Sequence, residues 1–290
     1  MSTSHFPTSL DTVKGFNPTR STVNNEDCDL HYWHQGNGPL IVFIPGGNGH
    51  GRQYNPIIAA LSDKYACATF DRRQMSASQV KVNKRMSPPQ QARDVRAVIQ
   101  VLGFDRAIIF GSSAGGMIAF QFALDFPSMV VHLICHEAPT YSLLPNATEV
   151  WEFVYRCQEL YEQGGMEAAE PPFAATLLGY DDEGVPRPVA PEPENPRNFW
   201  DNEFFVLSLF APNLLRIRDN GTSVGLMRGL RSRDAWYARS TYEQEKILGC
   251  PRFDVPGGHE GFQVELEAIL PYFFKMLETL EERSRGNSSA

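Results

Sequence analysis

One pentapeptide constrains this chain more than any other stretch: Gly111-Ser112-Ser113-Ala114-Gly115, set directly behind the apolar run Ala107-Ile108-Ile109-Phe110. A short β-branched run, a Gly-x-Ser-x-Gly turn and an amphipathic stretch read as strand, sharp turn and helix. That is the context a nucleophile elbow requires. So tight a turn needs small residues two before and two after its serine, hence the two glycines. It lifts the Ser113 hydroxyl clear of the sheet. The helix expected from Ala114 to Asp125 then points its N-terminal N–H groups at whatever the serine attacks. Alone, the pentapeptide also fits an ordinary glycine-rich turn; the strand before it, Gly116 and the helix after it favour the functional reading.

Strand-like and helix-like runs alternate around this turn, which argues for an α/β fold with a mostly parallel sheet and helices on its faces. Strands are expected at Leu30–His34, Leu40–Ile44, Cys67–Phe70, Ala107–Phe110, Val130–Cys135, Ser223–Met227 and Arg252–Val255. Helices are expected at Pro56–Ser62, from Ser87-Pro-Pro to Gly103 with Ser87 as N-cap, at Ala114–Asp125, at Ala235–Leu248 and from Gln263 to about Glu282, kinked at Pro271. From about Thr140 the rhythm changes. Asn146-Ala-Thr-Glu149 resembles a capping box, and Val150, Phe153, Val154, Cys157, Leu160 and Tyr161 keep helical spacing until Gly164-Gly165. Pro171-Pro172 follow, then the stretch Val185–Pro196, where Pro186, Pro188, Pro191, Pro193 and Pro196 exclude regular structure, and the aromatic-rich stretch Phe199–Phe210 reads as helix. Residues 140–215 are therefore expected to form an inserted, mainly helical cap, with 1–139 and 216–290 as the core. Trp151, Phe153, Phe199 and Trp200 are its candidates for lining an apolar pocket, packing of the cap on the core being the rival role for each.

Composition excludes several classes. The 290 residues carry a net charge of −8 with no basic block, which argues against a nucleic-acid surface. No run of 18 apolar residues is present, so no membrane span is expected. The opening Met1-Ser-Thr-Ser-His-Phe-Pro lacks the basic and apolar regions of a signal peptide, and Arg285-Gly-Asn-Ser-Ser-Ala carries no lipidation or retrieval signal. Five scattered cysteines without Cys-x-x-Cys read as reduced, mostly buried thiols of a cytoplasmic protein. Asn146-Ala-Thr and Asn220-Gly-Thr match the glycosylation pattern by accident on that reading.

A serine hydroxyl is a poor nucleophile at neutral pH; it needs a base within reach and the base needs an orienting partner. Of seven histidines, His259 is the candidate base. It follows a short strand and two glycines, at the carboxyl edge of the sheet where chemistry gathers in open α/β folds. His31 and His34, three apart on a strand, face opposite sides and cannot share a metal. His132 reads as a core histidine, and His50 follows the glycine-rich loop. For the acid, Glu137 lies two residues past the strand Val130–Cys135 and gives the chain order Ser113, Glu137, His259. Asp234 is the alternative, some residues beyond the following strand; in Gly229-Leu-Arg-Ser232, where such an acid is usual, this chain has serine. The developing oxyanion needs donors. The backbone N–H of Ala114 and that of Gly47, in Pro45-Gly46-Gly47-Asn48-Gly49, are the candidates, with Asn48 close behind. That loop lacks both Gly-Lys-Ser/Thr and Gly-x-Gly-x-x-Gly, which argues against phosphate binding.

On Ile44-Pro-Gly-Gly47, Asp71-Arg-Arg, Gly111-Ser-Ser-Ala-Gly-Gly116 and Pro256-Gly-Gly-His259 the chain resembles the α/β-hydrolase superfamily over nearly its whole length, the cap excepted. Cys135-His-Glu-Ala-Pro-Thr140 looks like the Cys-His-Glu-Leu-Pro-Thr segment of the fungal zearalenone lactonases, which implies Glu137 as the triad acid. Pro45-Gly46-Gly47 departs from the common His-Gly pair, and the proline-rich cap has no counterpart in those lactonases. The resemblance implies an α/β-hydrolase fold and a serine hydrolase without cofactor or metal, acting on a small, fairly apolar ester or lactone. Non-hydrolytic chemistry on the same triad and a receptor with vestigial turnover are the alternatives. Oligomeric state stays open, a homodimer included.

Overall fold

The computed structural model describes residues 13–180 and 182–288, so the opening residues read above for a leader, and the last two, lie outside the described residues. Strands β1 (Thr19–Asn25), β2 (Cys28–Gln35), β3 (Leu40–Ile44), β4 (Ala66–Phe70), β5 (Gln79–Val80), β6 (Ala107–Ser112), β7 (Val130–His136), β8 (Val224–Gly229) and β9 (Arg252–Val255) make one sheet of order β1-β2-β4-β3-β6-β7-β8-β9, with β5 beside β2. From β4 across to β9 every pairing is parallel; β1, β2 and β5 pair antiparallel. β1 and the two-residue β5 are the strands the sequence reading missed. The polar Thr19-Arg-Ser-Thr run of β1 lies at the sheet edge, where one partner suffices and no apolar pattern is required.

The central strands β3, β4 and β6 are buried along their whole length, as a parallel sheet covered on both faces requires. Alternation assigns the faces. Val42, Ile44 and Ile109 meet α2 (Pro88–Val101) and α3 (Ala114–Asp125) through Val95, Val98, Met117 and Ile118. Ile41, Phe43, Ile108 and Phe110 meet the opposite layer through Ile57 and Ile58 of α1 (Asn55–Leu61) and Phe262, Phe273 and Met276 near the C-terminus. Both nearest β3 neighbours, β4 and β6, run parallel to it although the chain leaves β3 for β4 and returns on the other side at β6. That reversal opens a crevice beyond the carboxyl ends of β3 and β6.

Between β7 and β8 the regular elements are helical, α4 (Ala147–Ala174), α5 (Glu194–Asn198), a π-type turn Phe199–Glu203, α6 (Phe204–Leu209) and α7 (Leu214–Asp219), while the proline-rich stretch between α4 and α5 carries none among the described residues. The expected break at Gly164-Gly165 is a kink, Gly165 having φ 66°, after which α4 resumes and carries Pro171 and Pro172 inside it. Ser87 and Asn146 precede their helices, but neither side chain bonds a helix N–H; Asn146 donates to the Glu149 carboxylate instead. After β8 come α8 (Trp236–Leu248), then β9, α9 (Gly261–Val264) and α10 (Leu266–Ser288). The break in the last helical stretch falls at Glu265, ahead of Pro271, which lies inside α10. All five cysteines are free and four are buried. Among the described residues no helix is long and apolar enough to cross a membrane.

Candidate active site

Ser113 sits between β6 and α3 with φ 55° and ψ −127°, a conformation costly for any residue with a Cβ. Its N–H donates to the His136 carbonyl at 2.9 Å, and its own carbonyl accepts from the Gly116 N–H at 2.9 Å. The flanking glycines are steric necessities: a Cβ on Gly111 would collide with the Gly115 carbonyl, and one on Gly115 with that of Ile44. Strain is thus held by close packing of β6, α3 and β3.

Glu137, one residue past β7, has the same kind of backbone, with φ 48°. Its fully buried carboxylate accepts from His259 Nδ1 at 2.7 Å and the Ser232 hydroxyl at 3.0 Å on one oxygen, and from the Gly229 N–H at 2.8 Å on the other. Burial by itself would raise this carboxyl. Its two histidine neighbours and the hydrogen bonds from His259 and Ser232 outweigh that and hold it below the ordinary range. Ser232 thus answers the missing acid after β8: the serine there steadies a carboxylate that β7 supplies. His259 comes from the Gly257-Gly258 turn after β9. Its ring stacks obliquely on Tyr237 at 4.0 Å, and α9 anchors its loop through Phe262, packed against Phe110 at 4.6 Å and His136 at 5.0 Å. His136 lies behind this array, its Nδ1 2.9 Å from the Ser112 hydroxyl, with burial pushing it down to about 4 and so leaving it neutral.

Ser113 and His259 open into one cavity of about 230 Å³, together with Gly46, Gly47, Asn48 and Ala114. A Cβ on Gly46 would lie 3.4 Å from that of Ser113, which brings the glycine-rich loop against the serine. Phe199 and Trp200 line this cavity with Phe173, Tyr180 and Phe204, as expected of an aromatic pocket. Trp151 and Phe153 do not. Val150, Val154 and Cys157 form the buried stripe of α4, which turns Trp151 outward to 44% exposure and sets Phe153 edge-on against Trp236 at 5.1 Å. Asp234 also lies elsewhere, exposed on a surface hollow with Arg239 and Lys246, while His259 Nδ1 faces Glu137. His50 is buried near the loop without lining the cavity, and His132 bonds Ser223 at 2.8 Å. Sequence reasoning missed Tyr180, Tyr237 and Glu260. Glu260 follows His259 directly, lines the cavity and accepts from the Tyr180 hydroxyl at 3.0 Å; burial raises its carboxyl. Only its place beside His259 could have drawn attention to it.

The family model for the alpha/beta hydrolase fold matches residues 39–156, a stretch that runs from β3 through the serine turn and Glu137 into α4. Epoxide hydrolase 1 of Caenorhabditis elegans is 35% identical over 113 residues, 38% of this chain and 28% of that protein. Zearalenone hydrolase of Bionectria ochroleuca is 27% identical over 133 residues, 42% of this chain and 48% of that protein. The chain therefore spans less than half the length of either. A crystal structure of a membrane phospholipase A superposes with a TM-score of 0.69 at 18% identity, over 94% of this chain and 89% of that one; the likeness is one of fold.

Proposed function

We propose that this chain, which has the α/β-hydrolase fold, is a serine hydrolase cleaving a carboxylic ester or lactone of a small, fairly apolar molecule. The observation that carries the reading is the 2.7 Å bond from Glu137 to His259 Nδ1, with His259 and Ser113 opening into the same cavity. Glu137 fixes the tautomer that leaves Nε2 free as a base, and it stabilises the imidazolium once formed. Ser113 Oγ attacks the carbonyl carbon while His259 takes its proton. The tetrahedral oxyanion is held by the N–H groups of Ala114 and Gly47, and its collapse expels the alkoxide, which takes the proton from His259. Water, deprotonated by His259, then attacks the acyl-serine and releases the acid and the free serine. Nucleophile, base, acid and donors all belong to this chain, so the reaction calls for no cofactor.

The helical segment between β7 and β8 acts in this reading as a lid whose rings exclude water and favour bulky apolar groups. The nematode relative's name suggests epoxide opening as an alternative. A serine that opened an epoxide would be left as an alkyl ether, which water does not cleave under such conditions, whereas an acyl-serine turns over. That difference favours esters and lactones. A panel of aryl esters and lactones tests the reading, with mass analysis of trapped acyl-enzyme. Turnover with label on Ser113, abolished in Ser113→Ala and largely kept in Ser112→Ala, is the expected result. No turnover on any acyl substrate, or full activity in Ser113→Ala, would end it.

A further inference from the structure

Arg72 and Glu203 form an ion pair sealed from solvent, far apart in sequence and between the sheet edge and the β7–β8 segment. The Arg72 Nη1 and Nη2 atoms meet the two Glu203 oxygens at 2.8 and 2.6 Å. Both side chains are essentially unexposed, at 0% and 1%. The same guanidinium donates twice more, from Nε at 3.1 Å and Nη2 at 2.9 Å, to one backbone oxygen, the carbonyl of Gly46. That carbonyl also accepts the Gly49 N–H at 3.0 Å. A trans peptide is planar, so the Gly46 carbonyl and the Gly47 N–H share one rigid unit and point in opposite directions. Arg72 does not line the cavity, whereas Gly47 does, and a Cβ on Gly47 would come within 3.1 Å of Phe199 Cε2. Fixing the carbonyl from behind therefore holds the Gly47 N–H pointing away from Arg72. A cation on the oxygen also polarises the peptide and strengthens its N–H as a donor.

We infer that Arg72 and Glu203 are positioning residues for the oxyanion hole: Glu203 aims and charges Arg72, and Arg72 orients the Gly46–Gly47 peptide whose N–H receives the developing negative charge. The inference rests on the oxyanion role proposed above for Gly47. A second tie from the same segment acts on the same loop, since Asn195 Nδ2 donates to the Asn48 carbonyl at 2.7 Å and its Oδ1 accepts the Ser76 N–H at 2.7 Å. Seating the β7–β8 segment and completing the oxyanion hole are thereby one event. A loop with three glycines in five residues gains rigidity from that segment. Burial raises the Glu203 carboxyl and the guanidinium opposes it. The pair also anchors the segment, so the test must separate anchoring from catalysis.

Four quantities are measured on wild type and Glu203→Gln, well below their melting temperatures. They are kcat and KM for a small acetate ester, the rate of Ser113 phosphonylation by an alkyl fluorophosphonate, and the affinity of an aryl trifluoromethyl ketone, whose serine adduct bears an oxyanion. Full loss of an oxyanion donor costs roughly 10²–10³ in kcat, so its misorientation should cost about 10- to 100-fold. That loss should appear in kcat and phosphonylation with KM unchanged. Ketone affinity should fall by the same factor as kcat/KM. Glu203→Asp, which keeps the charge, should recover most of the loss. Should Glu203→Gln not fold, Arg72→Lys reads the same quantity, because it keeps a buried cation and loses the fork that spans Glu203 and Gly46. A wild-type Ser113 inert to the fluorophosphonate would overturn the serine-hydrolase reading itself. A reactive wild type with variants that react at its rate, whatever their melting temperature, would overturn this inference alone.

Discussion

Glu137 is the residue on which the chemistry turns, because three donors converge on it in a place water cannot reach. His259, Ser232 and the Gly229 N–H come from β9 and β8, so the carboxylate also ties three strand ends together. Glu137→Gln keeps the shape but can present an N–H to His259 Nδ1, which selects the tautomer with its proton on Nε2. We expect kcat to fall by up to about 10⁴-fold with little change in KM. Asp234→Asn, on an exposed hollow, should leave both constants near wild type. Steady-state kinetics of the two variants decide the matter, and a crippled Asp234→Asn beside a healthy Glu137→Gln would reverse the assignment. The choice was only half legible in the sequence. Position after a strand marked both carboxylates as candidates, but which of them meets His259 depends on where the turns after β7 and β8 lead.

At the scale of elements, the β7–β8 segment shows how far periodicity reaches. Helical spacing located α4 and its buried stripe, yet aromatic content misplaced two of four proposed pocket residues. Trp151 and Phe153 flank the stripe made by Val150, Val154 and Cys157, and a helix turns about 100° per residue, so neighbours in sequence part company in space. Phe199 and Trp200 reach the cavity because the π-type turn Phe199–Glu203 presents them to it. Phe199 lies against Gly47, with its Cε2 3.1 Å from where a Cβ would be. Phe199→Ala should raise KM for bulky acyl esters several-fold more than for an acetate ester, while Trp151→Ala alters neither. Equal losses on both substrates that track a lowered melting temperature would reduce Phe199 to packing alone.

For the whole molecule, two buried histidines set an acid limit on stability. His50 and His136 are fully enclosed, and burial pushes each down to about 4. Unfolded, they titrate near 6.5, so below that pH the unfolded chain binds protons that the folded chain refuses. Their contribution is complete above about pH 6.5 and is lost as pH falls toward 4, at up to about 1.4 kcal/mol per pH unit for each. Denaturant titrations at several pH values should show this slope, and His50→Leu should flatten it by one proton's share. A slope unchanged by that substitution would mean that His50 takes up its proton as readily in the folded chain as in the unfolded one. Local chemistry determined much of this protein: β-branched runs fixed the strands, the Gly-x-Ser-x-Gly spacing fixed the elbow, and Gly257-Gly258 before His259 fixed the base at the sheet's edge. These are legible because a steric or periodic requirement acts within a few residues. Tertiary structure decided the rest. Serine at position 232, Arg72 behind Gly46 and Glu203 131 residues further on carry no local pattern that names their partners. They acquire roles only because parallel strands bring their carboxyl ends together and burial there leaves each polar group dependent on a partner that no local pattern names.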